Sequence, residues 1–507
     1  MTSVVDLQRS NQATQENSPV IAVLQPQSTL ESKNEIPYST TTSTDYKRAE
    51  RNLKLKLDAV ILPLTTFLYL SAYLDRGNMG NAKLQGIQTD LMGSSDTQFS
   101  IALACFYIAY IVFNVPGNIM AKVLKPSTAM AIAALIWGIA STLQAAAFNF
   151  AGIVVCSLFI GIGEAGFGPT VPFYYSIWYK RDEIAMRNAL FIGCGALAGA
   201  FGGLIAYGVS HSTNSSIKPT WRILFLIEGL PTLVLALLIF LFLPTHPESS
   251  KYLSSEERVL ATTRLMSSQA NGVHIRKFRW SGFRRAITDY KVYLCGVMYL
   301  GVNLTLASIS GFLPTIIVSL GYSNADAQLY TVPPYACAAV FMIITSFLSD
   351  RFRCRGLFVA GVMMISCTGW IILLAVVDNQ NVRYFATLLL VMGSFAAVPL
   401  MLTWVSNNSA NESQRDVELG MLNGIGQCFA ILAAFIFPST DSPHWSKGFG
   451  LNLAFNALAV IVAVALYLIL CHENARRDKK KGGRPFDMIL VDVDTYNDLA
   501  TGFRYVA

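Results

Sequence analysis

Residues 59–83 read AVILPLTTFLYLSAYLDRGNMGNAK. The apolar run at the start of this stretch ends at an acid and a base, Asp75 and Arg76. The run begins near Leu57. A helix needs about 20 apolar residues to cross a hydrocarbon layer of about 30 Å. The stretch therefore predicts a membrane-spanning helix over residues 57–75, with both charges at its outer end.

Stretches of this kind recur along the chain. The protein has 507 residues, of which 53% are hydrophobic and 14% are charged, whereas soluble domains carry about 25% charged residues. About twelve stretches have the length of a span. They lie near residues 57–75, 97–118, 127–147, 150–175, 186–209, 221–243, 291–315, 328–349, 356–376, 383–405, 414–437 and 448–471. Because backbone groups in lipid must bond within their own segment, the sequence predicts an all-α membrane protein with twelve transmembrane helices.

Basic residues are sorted between alternate loops. Lys and Arg in short loops stay on the cytoplasmic side of a membrane. Here they precede the first predicted span and follow the second, fourth and eighth. These residues are Lys47, Arg48, Arg51, Lys54, Lys56, Lys122, Lys125, Lys180, Arg181, Arg351, Arg353 and Arg355. The pattern predicts that both termini are cytoplasmic, and we expect the plasma membrane as the location.

A polar and basic segment divides the predicted spans into two pseudo-symmetric six-helix halves. Within it, SSEERVLATTRL (254–265) predicts a short surface helix. The start of the chain is rich in Ser, Thr, Gln and Asn, which is typical of disorder. The predicted organisation is a disordered cytosolic tail (1–56), a first half (57–243), a cytosolic linker (244–290), a second half (291–471) and a cytosolic C-terminal tail (472–507).

Several classes of protein fit the sequence poorly. The net charge of +7 is explained by the loops and requires no nucleic-acid partner. The nine cysteines lie mostly inside predicted spans, as small packing residues do. The phosphate-binding loop of an ATP-driven pump is not found, and the five histidines fall in loops or at span ends. We therefore expect no enzyme activity, no metal and no cofactor.

The loops after the second and eighth spans read GNIMAKVLKPS (117–127) and SFLSDRFRCRG (346–356). The second resembles the gating loop of the major facilitator superfamily, Gly-x-x-x-Asp-Arg-x-Gly-Arg-Arg, and keeps Asp350, Arg351 and Arg355. The first has Ala121 in place of the acid. The resemblance implies a twelve-helix transporter whose two halves open alternately to each side of the membrane.

Four further stretches are similar to the anion:cation symporters of that superfamily, in particular to the fungal branch that includes allantoate permease. They are YLDRGNMGNAK (73–83), GIGEAGFGPTVPFYYSIWYKRDE (161–183), WRILFLIEGLPT (221–232) and GFRYVA (502–507). The resemblance implies proton-driven uptake of a small organic anion, such as a ureide or a vitamin, or of a sulfur compound. The expected partners are this small molecule, the proton and the lipid bilayer, with the protein acting as a monomer.

Three ionisable residues are candidates for proton coupling. A charged side chain at the middle of a membrane costs about 2.5 to 3.5 kcal/mol on insertion scales, so it usually faces a cavity or a partner. Glu164 lies near mid-span among glycines. The resemblance implies coupling by Asp75, Arg76 and Glu164. The alternatives are an interfacial ion pair at Asp75 and Arg76 and a structural buried acid at Glu164.

The expected substrate site departs from the family at one position. Many relatives have an Arg seven residues before the glutamate, where it meets the substrate carboxylate, and this chain has Ser157. A zwitterion becomes more plausible, or another cation such as Arg187 or Arg222 binds the substrate. Allantoate, nicotinate, pantothenate and cysteine are the candidates. The predicted substrate ligands are Asn78, Asn81, Tyr107, Ser157, Tyr174, Glu228, Asn303 and Asn423.

Two other functions remain open at this point. A drug/proton antiporter of the same superfamily carries Gly-Pro-x-x-Gly-Gly in its fifth span, where this chain reads AGAFGG with Gly199 in place of proline. A non-transporting nutrient receptor with the same fold is the other alternative. Asn214 precedes a serine pair in a predicted external loop and is a glycosylation candidate.

Overall fold

A computed structural model describes residues 43–212, 219–270, 280–352, 354–410, 412–481, 497–499 and 503–506. Over these ranges the regular structure is helical, without strands. Residues 51–507 form one compact unit, and residues 43–50 are helical.

The α-helices are numbered in chain order. They are α1 (Ser43–Leu84), α2 (Ile87–Leu91), α3 (Asp96–Val123), α4 (Pro126–Gln144), α5 (Phe150–Phe167), α6 (Thr170–Trp178), α7 (Arg181–Ser210), α8 (Trp221–Phe242), α9 (Ser255–Ala270), α10 (Trp280–Thr288), α11 (Tyr290–Ser319), α12 (Asn324–Leu329), α13 (Val332–Phe352), α14 (Arg355–Ala375), α15 (Gln380–Asn408), α16 (Glu412–Ala433) and α17 (Ser446–Lys481).

Eleven stretches of the described residues are long and apolar enough to cross a membrane. They coincide with the predicted spans except for 414–437, which corresponds to α16. Polar residues such as Asp416, Asn423 and Gln427 interrupt α16, so it has no stretch as long and apolar as the eleven others. Because α16 packs along α11, its polar groups have protein as a neighbour. The predicted all-α membrane fold is confirmed over the described residues.

Helix α1 is longer than the sequence pattern indicated. It begins at Ser43, so residues 43–56, which were assigned to the disordered tail, are helical. It also continues to Leu84, so the prediction that Asp75 and Arg76 end the span is wrong: both lie inside the helix. At the other end of the chain, α17 continues to Lys481, past the predicted boundary at residue 471.

Close helix contacts are made at small residues, as is usual in membrane bundles. A Cβ atom at Gly163 would lie 2.8 Å from the backbone nitrogen of Trp137, so α5 and α4 touch there. A Cβ atom at Gly369 would lie 2.8 Å from the backbone nitrogen of Leu390, so α14 and α15 touch in the same way. The glycines thus set the spacing of the helices.

Helices α1 to α8 meet helices α11 to α17 near one end of the bundle. We call this the distal end, where α1 ends and α3 begins, and the opposite end the proximal end. A Cβ atom at Gly80 would lie 2.8 Å from the carbonyl oxygen of Ser310. Gln328 donates to the carbonyl oxygen of Asn81 at 3.2 Å and accepts a hydrogen bond from Ser210 at 2.7 Å. These contacts close the distal end.

The linker contributes two helices on the proximal side. The predicted surface helix is confirmed as α9, whose Arg264 is fully buried and donates to the carbonyl oxygen of Trp178 at 3.0 Å. Lys56 of α1 pairs with Glu257 of α9 at 2.7 Å. The second linker helix, α10, was not predicted, because only nine residues form it.

Candidate functional site

An ion pair joins α1 to α5 inside the bundle. Arg76 Nε lies 2.6 Å from Glu164 Oε2, and the two side chains are 17% and 1% exposed. The sequence analysis proposed these residues as partners, and the structure brings them together. Because the pair lies within two predicted spans, a proton or an anion that reaches it acts on charges held in a low-dielectric surrounding.

Aromatic rings surround the guanidinium group of Arg76. Its Cζ atom lies 4.8 Å from the ring centre of Tyr73, 5.1 Å from that of Tyr110 and 5.5 Å from that of Phe106. Rings at this distance attract a cation through their π-electrons. The guanidinium group therefore keeps these favourable ring contacts even when the carboxylate of Glu164 loses its charge. Sequence reasoning missed Tyr73 and Phe106, although Tyr73 and Arg76 have the spacing of residues on one helix face.

Small residues place Glu164 beside this cation. A Cβ atom at Gly117 of α3 would lie 2.7 Å from the Cα atom of Gly166, so α3 and α5 cross with their backbones almost in contact. Gly163 makes the equivalent contact with α4. In the sequence, Glu164 lies between the packing residues Gly163 and Gly166. The glycines around the acid are therefore packing residues that fix its position.

Asp75 belongs to a different cluster. Successive residues of a helix point about 100° apart, and Asp75 faces α4, where the hydroxyl of Ser141 donates to its Oδ1 at 2.5 Å. Its side chain is buried. The predicted group of Asp75, Arg76 and Glu164 is thus divided between two faces of α1, and Ser141 is a member that the sequence did not indicate.

Glu228 of α8 lies beside Asp75 and Asn78. Glu228 is 3% exposed and Asn78 is 1% exposed. Neither carboxyl oxygen of Glu228 and neither polar atom of the Asn78 side chain has a hydrogen-bond partner of normal geometry among the described residues. An unpaired charge buried in a membrane protein is costly. Glu228 therefore faces an acid, at a place separate from Arg76.

Asn81 lines a cavity between the two groups of helices. The cavity has a volume of about 20 Å³, room for about one water molecule. Its walls come from α1, α7, α11 and α13. They include Tyr73, Gly77, Asn81, Gly199, Ser310 and Tyr335. Tyr73 also contacts Arg76, so the cavity adjoins the ion pair. Asn81 is the predicted ligand that the structure places on this wall.

The predicted ligands of the second group of helices lie on α11 and α16. Asn303 is buried, donates to the carbonyl oxygen of Tyr299 at 3.1 Å, and packs against Gly426 of α16. Asn423 is half-buried. Tyr299 lies within electrostatic reach of Arg76. Tyr299 is therefore a site residue from the second group of helices. Sequence reasoning missed it because Tyr299 lies far from Arg76 in the chain.

Three more predicted ligands occupy other positions. Tyr107 adjoins Arg76 and Glu164 and is half-buried. Ser157 is 3% exposed and lies 3.5 Å from the amide nitrogen of Gln144, in the contact between α5 and α4. Tyr174 donates to the carbonyl oxygen of Pro244 at 2.5 Å, at the proximal end. Tyr107 alone of these three lies beside the ion pair.

The two alternative cations are engaged elsewhere. Arg187 binds both carboxylate oxygens of Asp58, at 2.8 and 2.6 Å, near the proximal end. Arg222 donates to the carbonyl oxygen of Ala145 at 2.9 Å, at the distal end. Arg76 is thus the cation that the described part of the chain places beside the cavity.

The gating loop keeps one ion pair. Arg355 lies 2.6 Å from Asp350, whose side chain is 65% exposed. Arg351 is exposed. The pair therefore lies at the proximal surface, where α13 ends and α14 begins. Asn214 and Arg353 lie outside the described residues.

The described residues hold no cluster of three or more His, Cys, Asp or Glu side chains able to bind a metal.

Comparisons with known proteins agree with this architecture. The model of the Major Facilitator Superfamily matches residues 65–417. The chain is 34% identical to the MFS transporter prlL of a fungal species (strain NRRL 50135), over 86% of this chain and 89% of that protein. It is 31% identical to the MFS-type transporter efuF of Hormonema carpetanum, over 87% and 90%.

Among solved structures, the chain is similar to a bacterial homologue of the human lysosomal transporter Spinster, in an inward-facing and unoccupied conformation. The TM-score is 0.60, the sequences are 16% identical, and the alignment covers 81% of this chain and 96% of that one. At this identity the likeness concerns the fold.

Proposed function

This chain belongs to the Major Facilitator Superfamily of membrane transporters, and we propose that it is a secondary active transporter that takes up a small organic anion or zwitterion together with protons. The observation that carries the proposal is the buried ion pair of Arg76 and Glu164 beside a cavity between the two groups of helices. From the resemblance to the anion:cation symporters and the sorting of basic residues between loops, we infer that it acts at the plasma membrane with both termini in the cytoplasm.

The pair couples a proton to an anion by competition. While Glu164 is ionised, its carboxylate binds Arg76 at 2.6 Å. When Glu164 takes up a proton, its carboxyl becomes neutral and the attraction falls. The guanidinium of Arg76 keeps its charge and its ring contacts, and it then binds a carboxylate of the substrate. Proton and substrate therefore load together, and Arg76 does the work of the arginine that Ser157 replaces.

The position of the pair links this exchange to movement. The carbonyl oxygen of Arg76 accepts a hydrogen bond from Ser310 of α11 at 3.0 Å. One turn further, Gly80 packs against the backbone of the same helix. A change in charge at Arg76 thus acts next to the contact that closes the distal end. In alternating access, residues 57–243 and 291–471 move as two bodies around a site near the midplane.

The residues around Arg76 favour a small substrate with one negatively charged group that binds Arg76. The cavity beside Arg76 is lined by tyrosine rings and the amide group of Asn81, the mixture of apolar walls and a few polar groups that is typical of small-molecule sites. Ureides, vitamin carboxylates and sulfur amino acids have this character. No cofactor is required, and a monomer contains the complete site.

Uptake by proteoliposomes with an imposed pH gradient tests the proposal. The purified transporter is screened with radiolabelled allantoate, nicotinate, pantothenate, biotin and cysteine. Accumulation that follows the inward proton gradient supports symport. Efflux driven by the same gradient indicates a drug/proton antiporter, and absence of any gradient-dependent flux across a wide substrate panel favours a receptor.

A further inference from the structure

The segment that contains Asp498 and Tyr505 returns to the proximal end of the bundle. We call residues 497–506, described at 497–499 and 503–506, the C-terminal strap. Asp498 is fully buried. Arg285 of α10 donates to its two carboxylate oxygens at 2.6 and 2.9 Å, and Lys291 of α11 lies 2.6 Å from Oδ2. The strap thus connects the linker helix α10 to the first helix of the second group.

Two asparagines bind the backbone of the strap. Asn408 of α15 accepts from the backbone nitrogen of Val506 at 2.8 Å and donates to its carbonyl oxygen at 3.0 Å. Asn474 of α17 accepts from the nitrogen of Tyr505 at 2.9 Å and donates to its oxygen at 2.8 Å. Trp404 donates to the oxygen of Val506 at 2.8 Å. Consecutive peptide units are therefore held by side chains, as they are in peptide-binding sites.

Tyr505 fills the space between these contacts. Its hydroxyl donates to Asp498 Oδ2 at 2.8 Å. The Nζ atom of Lys291 lies 4.4 Å from the ring centre, and the Cζ atom of Arg477 lies 4.6 Å from it. Two cations close to one ring give a specific pocket for an aromatic side chain. The helices thus recognise the strap through its aspartate, its tyrosine and two of its backbone units.

We propose that the proximal face of α10, α11, α15 and α17 is a peptide-binding cleft whose ligand is the chain's own strap, and that the bound strap fastens the linker to the second group of helices. The partner is defined by its chemistry: an aspartate followed seven residues later by a tyrosine.

Residues 482–496 separate Lys481 from the strap. About fifteen residues reach at most about 50 Å, so a strap outside the cleft remains tethered near it. Tethering over such lengths gives effective concentrations up to the millimolar range, and a modest affinity is therefore enough for the strap to stay bound.

Binding has a consequence for the linker. Arg285 and Lys291 lie on opposite sides of the junction between α10 and α11, and both bind Asp498. With the strap bound, α10 is attached to α11, α15 and α17 through the cleft. Without it, α10 keeps its packing against α16 and loses the ion pair of Arg285 with Asp498.

A protease site placed within residues 482–496 of the full-length chain tests the proposal after folding is complete. The purified transporter is cut and washed, and a fluorescent peptide of residues 497–507 is added. We expect saturable binding, measured by fluorescence anisotropy. Peptides with Asp498→Asn or Tyr505→Ala should bind at least about tenfold more weakly, because each loses a charged hydrogen bond or a buried ring.

A variant of the cleft tests the same interaction from the side of the transporter. Transporter with Asn408→Ala should bind the wild-type peptide more weakly, and a scrambled peptide is the control. Equal binding of the wild-type and Asp498→Asn peptides overturns the proposal. So does loss of the folded transporter on cutting, because the strap is then part of the core and not a ligand. The assay contains no substrate, so its result is independent of the transport proposal.

Discussion

The carbonyl oxygen of Arg76 accepts a hydrogen bond from the hydroxyl of Ser310, at 3.0 Å. The bond joins the helix of the buried ion pair to the first helix of the second group. The ion pair and the contacts that close the distal end therefore lie on the same stretch of α1.

The first prediction concerns closure of that end. A Cβ atom at Gly80 would lie 2.8 Å from the carbonyl oxygen of Ser310 and 2.9 Å from that of Gly311. Gly80→Val should therefore keep α1 and α11 apart and favour the state open at the distal end. Labelling of a cysteine introduced at Asn81 by a thiol reagent should become faster.

The same helix supplies the control for this experiment. A Cβ atom at Gly77 has no neighbouring atom within 4 Å. Gly77→Val, one turn earlier, should leave the labelling rate of the Asn81→Cys reporter unchanged. Similar rates for both valine variants would mean that the distal contact does not limit opening.

The second prediction concerns the acid cluster of Asp75 and Glu228. The carboxyl oxygens of Glu228 have no hydrogen-bond partner of normal geometry among the described residues, so Glu228→Gln should preserve the yield of folded transporter. Asp75→Asn should lower gradient-driven accumulation by about tenfold, equivalent to about 1.4 kcal/mol, because Asp75 lies between Ser141 and Glu228. Yield is measured by size-exclusion chromatography and uptake in proteoliposomes. Full uptake by Asp75→Asn would make this cluster purely structural.

The third prediction concerns pH and the strap. Burial alone would raise the pKa of Asp498, but the hydrogen bond from Arg285 and the charge of Lys291 hold that pKa well below its usual range. A depressed pKa contributes stability that is present above the unfolded value, about 3.9, and is lost as the pH falls through the folded value. Asp498→Asn should therefore lower the Tm of the detergent-solubilised protein near pH 7.

The size of this effect follows from the loss of one partner of a buried pair, about 3 kcal/mol or more. The difference in Tm between wild type and Asp498→Asn should be constant from pH 5 to 8 and should shrink below about pH 4. Asp478→Asn is the matched control, because Asp478 also pairs with the strap, through Arg504 at 2.7 Å, but is 36% exposed. Equal effects of both variants would contradict the buried role of Asp498.

Much of the fold could be predicted because hydropathy and span length are local properties of the chain. The spans, the surface helix of the linker and the partnership of Arg76 with Glu164 came from such signals together with family resemblance. The ends of α1 could not be predicted, because the helix continues through charged residues once they have partners. Asp75 and Arg76 were grouped by adjacency, but a helix turns neighbouring side chains toward different helices.

The contacts that were missed join residues far apart in sequence. Tyr299, in the other group of helices, lies within electrostatic reach of Arg76, and Asp498 pairs with Arg285 from the far end of the chain. No periodicity within a segment reports such pairs. The motif GFRYVA served only as a family resemblance, and the structure gives its tyrosine a pocket.

The ion pair of Arg76 and Glu164 supports the central claim, which a paired measurement on Glu164→Gln tests most directly. Gradient-driven uptake and substrate exchange at equal pH are compared in proteoliposomes at matched amounts of folded protein. Glutamine has nearly the same shape but cannot ionise, and exchange needs no net proton movement. We predict that Glu164→Gln abolishes accumulation driven by the pH gradient and retains exchange. Full gradient-driven accumulation by Glu164→Gln would contradict the account and exclude Glu164 as the proton carrier.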